Sequence, residues 1–325
     1  MNSDKLILSI VIPAFNEVES LDELVLRLTK VICNLGNIVG YEIIIIDDGS
    51  TDGTWQKIVD LKSQGRNIIG IKMRGRFGKS LALMSGFTQS VGDYVITLDA
   101  DLQDNPEDIP LLLSKILEGY DLVCGARMRR SDSLMRKIGS KIYNKVTSMI
   151  SGIELTDINC GFKIYSKSLV NNLHIYGQLH RYIPIQAYLM GFKIDEVAIS
   201  NSERRYGNSK YPAMRYEGFF DLMSIMFTYK HAHTPLYFFG SIAMIFMIPS
   251  SIVLTYLCGA HLIYLMGYGE SFNLFNRPLL AIVLSSISFG GVFLMTGFVC
   301  DFILHHSTRG KANNLTNLYV SDKLI

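Results

Sequence analysis

Between Leu236 and Ala260, and again between Pro278 and Cys300, the chain carries no charged side chain. Each run can cross a hydrocarbon core of ~30 Å as a helix. Backbone amides inside a bilayer find no water, so helical pairing is what such runs require. Pro249 falls within the first, where neighbouring helices tolerate a kink. Tyr237 and Tyr256 lie near its ends, where amphipathic rings favour the interface. Between the runs only Glu270 and Arg277 are charged, whereas Arg204, Arg205, Lys210, Arg215 and Lys230 precede the pair. Arg309, Lys311 and Lys323 follow it. Basic residues on both sides predict a hairpin with both flanks in the cytoplasm. The competing reading is a hairpin buried inside a soluble core.

The remaining two thirds read differently. A chain of 325 residues with 49% hydrophobic content has its apolar excess in the last third. The net charge of +2 argues against nucleic acid as a partner. Cys33, Cys124, Cys160, Cys258 and Cys300 have no paired spacing, which suits reduced thiols facing a cytoplasm. Residues 1–8 lack a basic region leading into an apolar core, so no signal peptide is expected.

From the N-terminus, Leu6 to Ile12 is an apolar strand closed by Pro13, and Ser20 to Val31 has apolar residues at helical spacing. Tyr41 to Ile46 makes a second strand, followed by a helix to about Leu61 and a strand around Ile68 to Met73. A basic loop, Arg74 to Lys79, leads into a helix from Ser80 to about Ser90. Tyr120 to Ala126 forms a further strand, with Arg127 at its exit. Strands alternating with helices across short loops predict a parallel sheet covered on both faces.

Within that pattern, Val95 to Leu98 is a buried strand running into Asp99, Asp101, Gln103 and Asp104. Open α/β sheets bind ligands at such C-terminal strand ends. In an extended chain Asp99 and Asp101 would face the same side. Two carboxylates that close repel unless a cation lies between them, and Mg2+ or Mn2+ bridging to phosphate suits the need. A solvated acidic turn is the plain alternative.

Two later segments depart from the alternation. Ser131 to Ser151 reads as a helix with Lys137, Lys141 and Lys145 four apart, either a solvated face or a contact for anionic headgroups or an acceptor phosphate. Pro212 to Tyr229, rich in Phe and Met, reads as an amphipathic helix in the membrane interface, though a core helix could look the same.

The ordered set Pro13 to Glu17, Asp47 to Thr54, Phe77 to Lys79, Asp99 to Asp104, Arg127, Asp157 to Lys163 and Arg204 to Lys210 resembles family 2 glycosyltransferases of the GT-A fold. More closely it is similar to the polyprenyl-phosphate glycosyltransferases, the dolichol-phosphate mannose synthase and bactoprenol glucosyltransferase group. The likeness spans about residues 6–230, and the hairpin resembles the membrane anchor of bacterial members. It implies an α/β, Rossmann-like, mostly parallel sheet with helices on both faces, plus a C-terminal transmembrane hairpin. The implied organisation is a cytoplasmic GT-A domain over 1–211 and an amphipathic interfacial helix over 212–232. Two transmembrane helices follow within 233–304, about 236–260 and 278–300, with a cytoplasmic tail over 305–325. Such a protein would be multi-pass in a bacterial inner membrane, with its catalytic domain cytoplasmic.

The resemblance also implies roles. Pro13, Phe15 and Glu17 would line the nucleotide site, Phe15 standing where the family usually has tyrosine. Ile46, Asp47 and Asp48 would hold base and ribose, and Lys79 would face phosphate or base. Ala100 and Arg127 would also touch the nucleotide sugar, and Asp99, Asp101 and Gln103 would hold Mg2+ or Mn2+ against the diphosphate. Arg127, Arg204 and Lys210 would neutralise phosphates of donor and acceptor, with Arg205 and Lys137 also on the acceptor phosphate. Asp157 joins Asp101 and Arg127 as a catalytic candidate. A lipid monophosphate needs little help from a base, since phosphate's second pKa is about 6. Asp157 is therefore expected to orient sugar or acceptor; an N-cap is its structural alternative.

The expected reaction moves a hexose from a nucleotide sugar, UDP-glucose favoured over GDP-mannose, to polyprenyl (undecaprenyl) phosphate beside membrane lipid, for cell-surface glycan or O-antigen modification. The alternative is a polysaccharide-forming or hydroxyl-directed family 2 enzyme. Those commonly carry an acceptor-side base and a Gln/Arg-rich helix, and no such motif is evident between Gly177 and Tyr206. A nucleotide-binding scaffold without turnover is a third reading, and homo-oligomerisation is left open.

Overall fold

A computed structural model describes residues 6–127, 152–153, 155–200, 223–225, 227–228, 234–268 and 278–308. The chain divides into two compact units, Met1–Ile225 and Met226–Ile325.

The first unit is built on a seven-stranded sheet. Its strands are β1 (Leu6–Ala14), β2 (Ile38–Asp47), β3 (Ile68–Lys72), β4 (Tyr94–Thr97), β5 (Leu122–Arg127), β6 (Lys163–Ser166) and β7 (Ile194–Ile199). They lie in the order β3-β2-β1-β4-β6-β5-β7. All neighbours are parallel except β6, which runs antiparallel to both β4 and β5. Strands buried on both faces explain why Ile43 to Ile46 is apolar without alternation. On one face Ile10, Ile12, Ile43 and Ile45 pack with Leu24 and Leu28 of α1 (Leu21–Cys33) and Leu112 of α4 (Ile109–Ile116). α2 (Thr54–Ser63) adds Ile58 and Leu61 to this core. Each such side chain is worth about 1.5–3 kcal/mol of burial. The other face is covered by α3 (Lys79–Gln89), so close that a Cβ on Gly86 would stand 2.4 Å from Val11.

Pro13 does not close the first strand. β1 continues to Ala14, paired with Asp47 of β2, while its pairing with β4 ends at Val11 and Thr97. Beyond that point β1 has one neighbour, so the N–H that proline lacks is not needed. β6 and β7, with α5 (Lys167–Asn172) and α6 (Ile183–Leu189), were not foreshadowed by alternation alone.

The second unit contains α7 (Pro235–Leu265) and α8 (Pro278–Thr308). Both are long and apolar enough to cross a membrane, over Pro235–Leu265 and Pro278–Leu304. Their most apolar stretches are only 17% and 11% buried, unlike core helices of a soluble protein. They pack on each other through small residues: a Cβ on Gly290 would meet Met247 at 2.4 Å, and one on Gly297 would meet Phe239 at 3.1 Å. Phe246 stacks on Phe293 with ring centroids 6.2 Å apart. The expected Lys137 stripe, Arg204, Arg205, Lys210, most of the interfacial helix over 212–232 and most of the tail lie outside the described residues.

Candidate active site

The sheet order reverses at β1, which has β2 on one side and β4 on the other. Loops leaving the C-terminal ends of these strands diverge there and leave a crevice. Three of them are tied together over it. The Asn16 N–H donates to Ser50 Oγ at 2.9 Å, and the Thr51 N–H donates to Asn16 Oδ1 at 2.8 Å. The Asp48 carboxylate accepts the N–H groups of Phe77 (2.7 Å) and Gly78 (2.9 Å), fixing the basic loop. Gly49, at φ 76°, allows that approach, because a Cβ there would lie 2.7 Å from the Gly75 carbonyl carbon.

These loops enclose a first cavity of about 360 Å3, within the range of small-molecule sites. Pro13, Phe15, Glu17, Asp48, Lys79, Asp99, Ala100 and Asp101 all line it. Arg76 lies over the Phe15 ring, 4.2 Å from its centroid. Ile46 and Asp47 line neither this cavity nor the next: both are fully buried, and Asp47 Oδ1 accepts the Ser50 N–H at 2.9 Å. Their place is under the site, holding the loop that forms its wall.

A second cavity of about 180 Å3 adjoins the first, and Lys79, Asp99, Asp101 and His180 line both. Its other walls carry Gln103, Arg127, Lys163 and Arg181. Lys163 is buried and donates from Nζ to the Cys160 carbonyl. Gly161 brings the Asn159–Phe162 loop against Asp99, since a Cβ there would sit 2.9 Å from Asp99 Oδ2.

Asp99 and Asp101 share both cavities for a different reason than strand alternation. β4 ends at Thr97, and the two acids stand in the turn that follows. Leu102 in that turn has φ 60° and is buried; with Asn16 at φ 55° it is one of two non-glycine residues at positive φ among the described residues. Left-handed strain of this kind costs about 1–3 kcal/mol and clusters at functional sites.

The charges are crowded. Burial alone would raise the Asp99 carboxyl, but the ion-paired Lys79 ammonium, with smaller contributions from His180 and Arg127, holds it below the usual range. Asp104 is pushed up to about 7, by burial first and then by the Asp99 and Asp101 charges. Arg127 is half-buried, which by itself would lower it; the Asp157 carboxylate, accepting from Nε at 2.8 Å, more than reverses that. Asp157 lines neither cavity and is 3% exposed, and it meets the second through Arg127.

The donor set suits a hard divalent ion. Two carboxylates and the Gln103 amide offer oxygen ligands, and Mg2+ or Mn2+ typically completes its shell with substrate phosphates and water. No group of three or more His, Cys, Asp or Glu poised for a metal occurs among the described residues, so the phosphates would have to complete the shell.

The model of Glycosyl transferase family 2 matches residues 9–173, just over half of the chain. The chain belongs to that family. This family 2 glycosyltransferase is similar to glucosyl-3-phosphoglycerate synthase of Mycobacterium tuberculosis in complex with phosphoglyceric acid, with a TM-score of 0.52 and 21% identity over 68% of this chain and 80% of that one. The same synthase with Mn2+, UDP-glucose and phosphoglyceric acid gives 0.52 and 21%, covering 68% and 79%. Another such complex gives 0.51 and 19%, covering 69% and 79%. At those identities the likeness shows the shared GT-A fold.

The family match ends at residue 173, before His180 and Arg181. Both belong to the stretch after Gly177 in which no acceptor-side motif was evident, yet both line the second cavity of this glycosyltransferase. The available signal was the basic pair just ahead of Ile183-Pro184, where proline opens α6. Arg76 stood in the basic loop Arg74 to Lys79 and Lys163 at the end of the Asp157 to Lys163 segment, neither with a role.

Proposed function

We propose that this family 2 glycosyltransferase is membrane-anchored and inverting, moving a hexose, glucose by preference, from a nucleotide diphosphate sugar to polyprenyl phosphate. The observation that carries the reading is the pair of adjoining cavities in one chain with two membrane-length apolar helices. The first cavity suits a nucleotide, with Phe15 as a packing surface and Lys79 beside the diphosphate. The second is lined by Arg127, Lys163 and Arg181, a setting for an anionic acceptor.

In the reaction an acceptor phosphate oxygen attacks the anomeric carbon as its bond to the donor diphosphate breaks. Attack from the face opposite the leaving group gives a β-linked product, and the nucleoside diphosphate departs. Arg127, held by Asp157, aligns the acceptor phosphate, while Lys79 balances charge on the leaving diphosphate. The acceptor is already largely ionised near neutral pH, so a buried Asp157 need take no proton. Bound at Asp99, Asp101 and Gln103, a divalent ion would supply Lewis-acid stabilisation of the leaving group. Membrane helices in the same chain confine the enzyme to the bilayer that holds the acceptor.

The test is incubation of the full-length enzyme and Mn2+ with radiolabelled nucleotide sugars and undecaprenyl phosphate, then lipid extraction. Label in the organic phase, highest with UDP-glucose, is the expected result. Label in insoluble polymer, in added phosphoglycerate alone, or nowhere overturns the lipid acceptor.

A further inference from the structure

We infer that His180 is a sugar-reading residue: a neutral imidazole, locked by the Ser80 hydroxyl with its proton on Nε2, that donates to an oxygen of the hexose being transferred. The inference rests on the donor-sugar reading above, and it begins from two hydrogen bonds. Ser80, in the first turn of α3, is 1% exposed. Its Oγ accepts the backbone N–H of His180 at 3.1 Å and lies 2.9 Å from that residue's Nδ1. A hydroxyl has one proton to give. If Nδ1 carried a proton, Oγ would accept twice and its own proton would be buried without an acceptor, which is unfavourable. If Oγ–H donates to Nδ1, the hydroxyl, Nδ1 and the His180 backbone N–H are all satisfied. The ring proton then lies on Nε2, which has no hydrogen bond to any described residue.

Position supplies the target. Four residues line both cavities: Lys79, Asp99, Asp101 and His180. The group that passes from the first cavity to the second is the sugar, so a side chain on the shared wall meets the sugar. Three of the four are charged and suit a metal and phosphates. His180 adds a donor without charge, since the Ser80 hydroxyl occupies Nδ1 as a donor and leaves the ring one proton. Neutrality matters there, because positive charge grows on the sugar as the leaving-group bond stretches, and an imidazolium would oppose it.

The experiment uses the full-length protein, 15N-labelled at histidine, in lipid nanodiscs, with His180→Gln to assign the resonance. The expected signature is a single Nε2-protonated tautomer that becomes mixed in Ser80→Ala; a Nδ1-protonated ring in the parent overturns the proposal. Kinetics with UDP-glucose and its single-deoxy analogues supply the second readout. His180→Ala should lose about 10-fold or more in kcat/KM, and one deoxy analogue should lose the same factor on the parent. That analogue should lose nothing further on His180→Ala, the coupling expected of two groups in contact. His180→Gln, which keeps a neutral N–H donor, should recover part of the loss. Additive losses with every analogue overturn the proposal while leaving the transferase reading intact. Absence of any nucleotide-sugar binding by calorimetry overturns both.

Discussion

The two cavities share a wall and little else. The first is made by loops after β1, β2 and β3, cross-linked by the Asn16–Ser50, Thr51–Asn16 and Asp48–Phe77 bonds, with an aromatic ring and one arginine over it. The second is made where the antiparallel β6 is inserted between β4 and β5, and Arg127, Lys163 and Arg181 join the shared Lys79 around it. A wall of hydrogen-bonded loops recognises a ligand by shape, whereas a cationic recess selects for anionic charge. In the proposed reaction this difference would separate recognition of a donor from capture of an acceptor, with the acids of the shared wall facing both.

The largest expected effect lies in the second cavity alone. The Arg127–Asp157 pair is nearly dry, with side-chain exposures of 21% and 4%. Removing one partner from a buried pair costs about 3–5 kcal/mol of stability, because the other charge is stranded. Arg127→Ala should therefore lower the denaturation midpoint strongly and raise the KM for lipid phosphate, leaving the donor KM near that of the parent. The double variant Arg127→Gln/Asp157→Asn should regain much of the stability without regaining acceptor affinity. If activity returned with stability, Arg127 would be a structural group and the division between cavities would fail.

Next comes the shared wall. Asp101→Asn keeps the volume and removes a charge facing both cavities. Turnover should fall about 10²–10³-fold, the usual cost of deleting one group that stabilises developing charge. The Mn2+ concentration for half-maximal rate should rise as well. A tenfold loss confined to donor KM, with Mn2+ dependence unaltered, would mean that the acid belongs to the first cavity only.

How these regions divide also explains what could be read from the chain. The first cavity was legible because its residues arrive as compact clusters at strand ends: Pro13 to Glu17, Asp48, Lys79 and Asp99 to Asp101 each follow an apolar run. Asp47 shows the limit of that reading. It has the right neighbours, but the Ser50 N–H turns its carboxylate into the turn. The second cavity was half hidden, since β6 pairs antiparallel with two strands distant in sequence and no local period announces that. His180 and Arg181 reach the site only because the segment before α6 folds back on α3, a contact made across one hundred residues. The hairpin needed no such pairing: absence of charge over membrane length was enough.

A smaller effect belongs to the first cavity alone. Arg76 over Phe15 is a cation–π contact in the wall of the first cavity, worth about 1 kcal/mol at a partly solvated site. Arg76→Ala should raise the donor KM roughly fivefold, the equivalent of that energy, with kcat and acceptor KM within twofold or so. An equal change in the acceptor KM would show that the two cavities respond as one.

The smallest effect is read in acid, and it returns to the wall. His180 is pushed down to about 2, chiefly by burial and then by the Lys79 and Arg181 charges, against an ordinary 6.5. Asp99 facing it pulls the other way, and Lys163 adds to the depression. With the folded value depressed, the unfolded chain takes up a proton below pH 6.5 and the native fold does not. Stability supplied by the neutral ring is therefore complete above 6.5 and lost progressively as pH falls, by no more than about 1.4 kcal/mol per unit. Solvent reaching the ring through the cavities reduces that, so about 1 kcal/mol between pH 6 and pH 5 is the expected share. His180→Gln has no such proton to exclude, and its denaturation midpoint should fall less over that interval than the parent's. Identical slopes for the two proteins would mean that the imidazole protonates freely in the fold, and a wall carrying that extra charge could not treat a sugar and a phosphate differently.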